Sequence, residues 1–331
     1  MEAMKLLLTN TGSYPRVGDT AELQQLRRTH SAFERQQATP EDLRAAEDAM
    51  VRAALQEQAE AGLDLVTDGQ IRWSDPIAHL AGQLAGVKIN GLLRFFDTNF
   101  YFRQPIVQAE MGRKDGLLLS DYEFARQNSA KPVKPVLTGA YTLARHSIAE
   151  HAPYKQLDAL MRAYALALAG EVEALAKAGA EVIQVDEPAI LRWPRDFPLL
   201  ERALIIVGKR RLKAKLALYL YFGDALPLYD RLQKLPVDIL GLDFTYNPKF
   251  VERVVTAGSD KPLALGLVDG RNTRLEDAAA VAHQVDRLLL RVKGQACYLN
   301  PSCGLEYLPR DRAFAKLKLL GQVRNLVKRA K

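Results

Sequence analysis

Cys303 stands in LNPSCGL, residues 299–305, where a hydrophobic run from Ala296 to Leu299 stops at Asn300-Pro301. Cys297, earlier in that run, is the only other cysteine. A thiol at the end of a strand has three uses: metal ligand, nucleophile, or small apolar filler. Cys297 reads as filler; for Cys303 all three stay open. Carboxylates recur at comparable places, with Asp186 and Glu187 closing EVIQVDEP (181–188) and Asp243 closing VDILGLD (237–243). An ionised carboxylate there can accept charge-assisted hydrogen bonds of about 1.5–3 kcal/mol each. Ser13, Gln70, His146 and Arg271 follow further apolar runs.

The elements that must position these residues are short, nearly continuous apolar runs ending in polar or turn residues, as parallel strands buried on both faces require. They fall at 5–13, 64–70, 134–142, 181–188, 215–224, 237–247, 262–272 and 296–304. Helical segments separate them. Thr39-Pro40-Glu41-Asp42 opens a helix over 38–62 that closes on Gly62, and 153–179 carries an apolar stripe and ends at Gly179. Thr273 and Glu276 have capping-box spacing before a helix reaching about Val292. Leu317, Leu320, Val323 and Val327 are expected on one face of a terminal helix. Eight strand-plus-helix units predict a (β/α)8 TIM barrel, a fold that carries its chemistry at the carboxyl ends of the strands. Residues 14–39 make a long first loop. An insertion over 88–130 follows the second βα unit, its Asn90-Gly91 turn and alternating NFYFRQPIVQ predicting a hairpin. With no linker or repeat, residues 1–331 are expected to form a single domain.

Hydrophobic residues make up 48% of the 331 and charged ones 26%, enough for a sizeable core. No apolar run approaches the ~18 residues of a membrane span. The KLLLT run near the start is too short for a signal peptide. Two cysteines make no disulfide framework and suit a reducing compartment, so a cytoplasmic location is expected. The net charge of +7 is concentrated in GKRRLKAK (208–215) and in the last helix. Neither stretch interleaves basic residues with aromatics, so neither nucleic acid nor membrane is an expected partner.

The strand ends TNTGSYPR (9–16), VTDGQIRWSDPIAHLAGQLAGV (66–87), PVKPVLTGAYTLARHS (132–147), VIQVDEPAI (182–190) and YLNPSCGL (298–305) resemble, in order, the catalytic barrel of cobalamin-independent methionine synthase. VIQVDEPA and NPxCGL are the specific motifs. The resemblance implies a methyltransferase that moves a methyl group onto the sulfur of homocysteine or a similar thiol amino acid. It also implies a zinc ion, because a thiol with a pKa near 8.5 is mostly protonated at neutral pH and metal coordination ionises it. The family's zinc ligands are a His and a Cys two residues apart on the fifth strand, a Glu ending the sixth, and the Cys of NPxCGL. Cys303 matches the last, and Asp243 stands where the Glu does. With Tyr221 matched to the tyrosine after the family's cysteine, Leu218 and Leu220 fall on the His and Cys positions and offer no donor atom. The implied zinc site is depleted of ligands.

The same resemblance makes Asp186 the partner of the substrate's ammonium group and Ser13 a contact of its amino-acid backbone. Gln70 replaces a Glu, and Glu187 is a second acid that could point inward. His146 falls on the tryptophan that faces the folate, and Arg271 on a proton-donating histidine. Cys303, Asp243 and Arg271 are thus the expected catalytic residues; Ser13, Gln70, Asp186, Glu187 and His146 the expected substrate-binding ones. Full-length relatives carry an extra barrel that helps bind the folate's glutamate tail. For a lone barrel the expected donor is a methylcorrinoid, on a corrinoid protein, or a small methyl compound in preference to polyglutamyl methylfolate. A zinc-independent lyase or decarboxylase on the same barrel, or a non-catalytic amino-acid-binding homologue, are the alternatives.

Overall fold

The computed structural model describes residues 4–113 and 116–328. Ten strands run through them: β1 (Lys5–Leu8), β2 (Leu84–Arg94), β3 (Tyr101–Arg113), β4 (Val136–Thr138), β5 (Ile148–Ala149), β6 (Val182–Asp186), β7 (Lys215–Leu220), β8 (Ile239–Asp243), β9 (Leu263–Val268) and β10 (Ala296–Pro301). Helices alternate with the strands in the order of a (β/α)8 barrel, interrupted by an insertion holding β2 and β3. The chain divides into two compact units: Met1–Arg72 with Phe124–Val133 and Val251–Lys331, and Trp73–Glu123 with Lys134–Phe250.

In the first unit β1, β10 and β9 are parallel neighbours, and bridges Thr9–Leu65 and Val66–Val133 extend the parallel run. The 64–70 segment therefore contributes two bridging residues and no full strand. Helix Pro40–Glu60 begins as its sequence requires: Thr39 and Asp42 form a complete capping box, and Gly62, at φ +86°, follows its end. The expected long first loop contains a helix, Gln25–Glu34. The next expected cap is corrected. Helix Ala278–Leu289 is capped by Asp277, which accepts from the Ala280 amide at 2.7 Å, while Glu276 accepts from the Asp269 amide at 2.8 Å and from Lys316 Nζ at 3.0 Å. Lys316, in that pairing, is fully buried.

In the second unit β4, β6, β7 and β8 are consecutive parallel neighbours, buried except for Lys215 at the start of β7, and helices Leu157–Lys177 and Phe197–Gly208 pack together beside them. The inserted hairpin is β2 against β3, with β5 beside β3. Its turn is not Asn90-Gly91. Gly91, at φ +67°, marks a register shift inside β2. The chain reverses at Phe95–Phe100, where the Phe95 amide donates to the Phe100 carbonyl at 2.8 Å and Thr98 Oγ1 donates to the Phe95 carbonyl at 2.5 Å.

Candidate functional site

Strand register decides which side chains share a face, because directly paired residues of parallel strands point to the same side and side chains alternate along each strand. Asp186 pairs with Thr138 on β4 and Tyr219 on β7, and Tyr219 pairs with Gly241 on β8. One face of the second unit thus carries Thr138, Gln184, Asp186, Tyr219, Gly241 and Asp243. Leu218 pairs with Val185 and Leu240, and Leu220 with Leu242. Leu218 and Leu220 are therefore on the face opposite Asp186. Tyr219 on β7 and Tyr221, just past the end of β7, are on the Asp186 side.

Asp186 is buried, with each carboxylate oxygen held once. Gln184 Nε2 donates to Oδ1 at 2.7 Å and the Tyr221 hydroxyl donates to Oδ2 at 2.9 Å. Burial pushes its carboxyl up to about 7, against the pull of those two hydrogen bonds and of the Lys134 charge. Gln184, Lys134, Tyr219 and Tyr221 were missed as site residues from sequence. The available signal was period: Gln184 is two residues before Asp186 and so shares its face.

Glu187 points elsewhere. It accepts from the Tyr141 amide at 3.0 Å, the Thr142 amide at 2.7 Å and Thr142 Oγ1 at 2.6 Å, capping helix Ala140–Arg145. Its carboxyl, raised by burial to about 7, serves that helix start. Asp243 Oδ1 likewise accepts from the Thr245 amide and hydroxyl at 2.8 and 2.7 Å and from the Tyr246 amide at 3.2 Å.

His146 ends helix Ala140–Arg145. Its Nδ1 lies 2.8 Å from the Thr142 carbonyl; a carbonyl only accepts, so Nδ1 carries the proton and Nε2 of the neutral ring is an acceptor. Burial holds the ring below the ordinary histidine range, opposed by the Thr142 bond and assisted by Arg192 and Arg145. Phe95, Phe96, Phe102 and Trp193 surround it, with centroids 6.1, 5.3, 5.1 and 6.0 Å away. Two of those rings come from the hairpin turn and one from β3, so the insertion builds this environment. Phe96, at φ +51°, and Phe222, at φ +65°, are both in the left-handed region and meet at 5.6 Å. Bulky residues rarely sit there, and such conformations concentrate at functional sites.

In the first unit the loop after β1 is tied down from several sides. Thr67 Oγ1 donates to the Gly12 carbonyl at 2.6 Å, the Leu305 amide to the Ser13 carbonyl at 2.9 Å and Tyr14 Oη to Glu57 at 2.7 Å. Arg310 donates to the same Glu57 at 2.9 Å and to the Pro15 carbonyl at 2.6 Å. Ser13 is buried, with its Oγ so close to Gly304 that a side chain at 304 would strike it. Gln70, at φ +52°, brings its amide oxygen to within 3.5 Å of where a Cβ on Gly12 would lie. Cys303 is fully buried; its Sγ is 3.4 Å from the Gly304 carbonyl and 2.9 Å from where a Cβ on Gly270 would lie. Cys297 is fully buried, and burial pushes its thiol up to about 11. Arg271 is exposed, and its amide donates to Asp269 at 2.8 Å. Ser13, Gln70 and Cys303 are therefore gathered around the glycines 12, 270 and 304, with Arg271 next to Gly270.

A catalytic zinc takes three protein ligands from nitrogen, sulfur or carboxylate oxygen and leaves a fourth position for substrate. Cys303 and Asp243 are the only residues of the implied set that have such donors. The leucines have none, and phenols stand on the relevant face of β7. Among the described residues no three His, Cys, Asp or Glu side chains gather to hold a metal. The donor set does not fit the ion.

Residues 6–325 match the family model described as cobalamin-independent synthase, catalytic domain. The chain is 33% identical over 325 residues to a methionine synthase of Sulfurisphaera tokodaii, covering 96% of this chain and 91% of that one. It is 31% identical over 320 residues to a methionine synthase of Saccharolobus solfataricus, covering 96% and 93%. Among solved structures, a B12-independent methionine synthase from Shewanella sp. W3-18-1 in complex with selenomethionine superposes with a TM-score of 0.78 at 23% identity, each chain covered to 98%. At that identity the likeness speaks for the fold. No helix among the described residues is long and apolar enough to cross a membrane.

Proposed function

Because the chain belongs to the cobalamin-independent methionine synthase family, whose members are methyltransferases, we propose that it transfers a methyl group to the sulfur of homocysteine or a closely similar thiol amino acid. In that reaction the bond between methyl carbon and donor breaks, an S–C bond forms, and the thiol proton is released. Asp186 takes the substrate's ammonium group, and this assignment carries the reading. Its support is a buried carboxylate with one donor on each oxygen, which leaves lone pairs for a further cation. The family resemblance assigns Ser13 and Gln70 to the amino-acid backbone, Cys303 and Asp243 to the sulfur, and His146 and Arg271 to the donor. Glu187 acts by holding helix Ala140–Arg145.

No step is assigned to zinc. Tyr219 and Tyr221 favour a second reading, a zinc-independent reaction on a bound amino acid, over the standard thiolate chemistry. Isothermal titration with homocysteine and methionine, followed by a methyl-transfer assay with methylcobalamin and with methyltetrahydrofolate, separates the two. Both amino acids should bind, and Asp186→Ala should weaken binding by about tenfold or more. Binding without transfer from any methyl donor favours the second reading, and loss of neither affinity nor transfer on Asp186→Ala ends the assignment.

A further inference from the structure

The second unit buries a charge that none of these roles uses. Lys134, just ahead of β4, is 1% exposed, and lysine is almost never fully buried without partners. Its Nζ donates to Gln184 Oε1 at 2.5 Å and to the Tyr219 hydroxyl at 3.4 Å, and lies 4.6 Å from the Tyr219 ring centroid. Gln184 passes the interaction on, donating from Nε2 to Asp186 Oδ1 at 2.7 Å. Cation, amide, carboxylate and the Tyr221 phenol form one chain of hydrogen bonds within the unit. Space for it depends on Gly241: a Cβ there would sit 2.5 Å from the Tyr219 ring.

An amide has an acceptor end and a donor end of nearly equal shape, so its direction is set by its neighbours. A lysine ammonium only donates. It therefore holds the Gln184 oxygen toward itself and turns the NH2 toward Asp186. We propose that Lys134 is a positioning residue for amino-acid binding, which through Gln184 keeps Asp186 an ionised acceptor for the substrate's ammonium group. The proposal rests on the role given to Asp186 above. Without Lys134 the amide can reverse and put its oxygen against the carboxylate, a contact satisfied only when Asp186 carries a proton. A protonated Asp186 no longer attracts a cation. Burial pushes Asp186 up to about 7 and Lys134 down to about 7, each opposed by the other's charge, so one partner suffices to tip the balance. Tyr219, Tyr221 and Glu187 are titratable groups next to this chain among the described residues.

Calorimetric titration with methionine at pH 7 and pH 8.5 tests this on the wild type, Asp186→Asn, Lys134→Met, Gln184→Met and the double variant of the last two. Lys134→Met should bind about tenfold more weakly at pH 7 and recover much of the loss at pH 8.5, where Asp186 ionises again. A merely structural lysine would give a loss independent of pH. Gln184→Met should behave in the same way, and the double variant should be little worse than either single one. Should Lys134→Met fail to fold, the Gln184→Met pH profile decides alone. Wild-type binding that is lost in Asp186→Asn but unchanged in Lys134→Met and Gln184→Met overturns the proposal and leaves the Asp186 reading standing. A wild type that binds no methionine at either pH removes both.

Discussion

At the scale of the residue, Asp186 shows what burial does to a binding carboxylate. Its ionised form is wanted by an ammonium ligand and disfavoured by the surroundings, which push it up to about 7. The sign follows. Below pH 7 the neutral acid dominates, and a cationic ligand must drive off its proton before it can bind. Above pH 8 the carboxylate is fully formed. Methionine affinity should thus fall toward tenfold per unit as pH drops below about 7, and level off above pH 8. Calorimetry between pH 5.5 and 8.5 checks this, and Asp186→Asn should remove the slope. If that variant keeps the slope, Glu187, which burial also raises to about 7, is the group being titrated.

At the scale of the element, helix Ala140–Arg145 is held by a residue from the end of a different strand. Glu187 occupies the space a side chain at Gly139 would need. Gly139 has φ −74° and ψ 158°, a backbone that any residue adopts, so the demand for glycine is one of volume alone. Gly139→Ala should destabilise the protein by about 1–3 kcal/mol through overpacking. In a Glu187→Ala background the same substitution should be nearly neutral, because the obstacle is gone. Denaturant unfolding of the two singles and the double measures the coupling; additive effects would mean that Gly139 matters for another reason.

The elements also show where sequence reasoning runs out. Strand positions were legible because parallel strands buried on both faces leave continuous apolar runs, and KLALYL, VIQVD and LALGLV could be little else. That same continuity hides the face. In an alternating strand, polarity tells inside from outside, but in β7 leucines and tyrosines are all buried. A shift of one residue exchanges Leu218 and Leu220 for Tyr219 and Tyr221. Only pairing with Asp186 and Gly241 fixes which pair faces the site. The hairpin turn was misplaced for a related reason: Asn-Gly serves a bulge as well as it serves a turn, since both ask for a positive φ. That Asp186 ends a strand and that Ser13 and Cys303 follow one was legible, because polar residues closing apolar runs mark the ends of strands. The buried role of Lys134 was not, because nothing in the 134–142 run shows that the lysine opening it meets Gln184 and Tyr219.

At the scale of the whole molecule, the choice between metal and no metal cannot be made by any one segment, since the donors of a catalytic zinc would have to come from strands far apart in sequence. Cys303 and Asp243 supply two donors at most, and Asp243 already spends one oxygen on the turn at Thr245 and Tyr246. A phenol with its ordinary pKa near 10 is a poor zinc ligand beside thiolate, imidazole or carboxylate. Here the Tyr221 proton is further committed to Asp186, and ionising that phenol would place two negative charges 2.9 Å apart in a buried site. Protein purified without chelator should therefore contain far less than one zinc per chain, and a chelator should leave its thermal midpoint unchanged, because no metal-binding energy is linked to folding. Elemental analysis and a melting curve with and without chelator make the measurement. One zinc per chain, lost on Cys303→Ala and accompanied by a lower midpoint, would mean that a ligand outside the implied set completes the site, and the thiolate chemistry of the family would then apply to this chain.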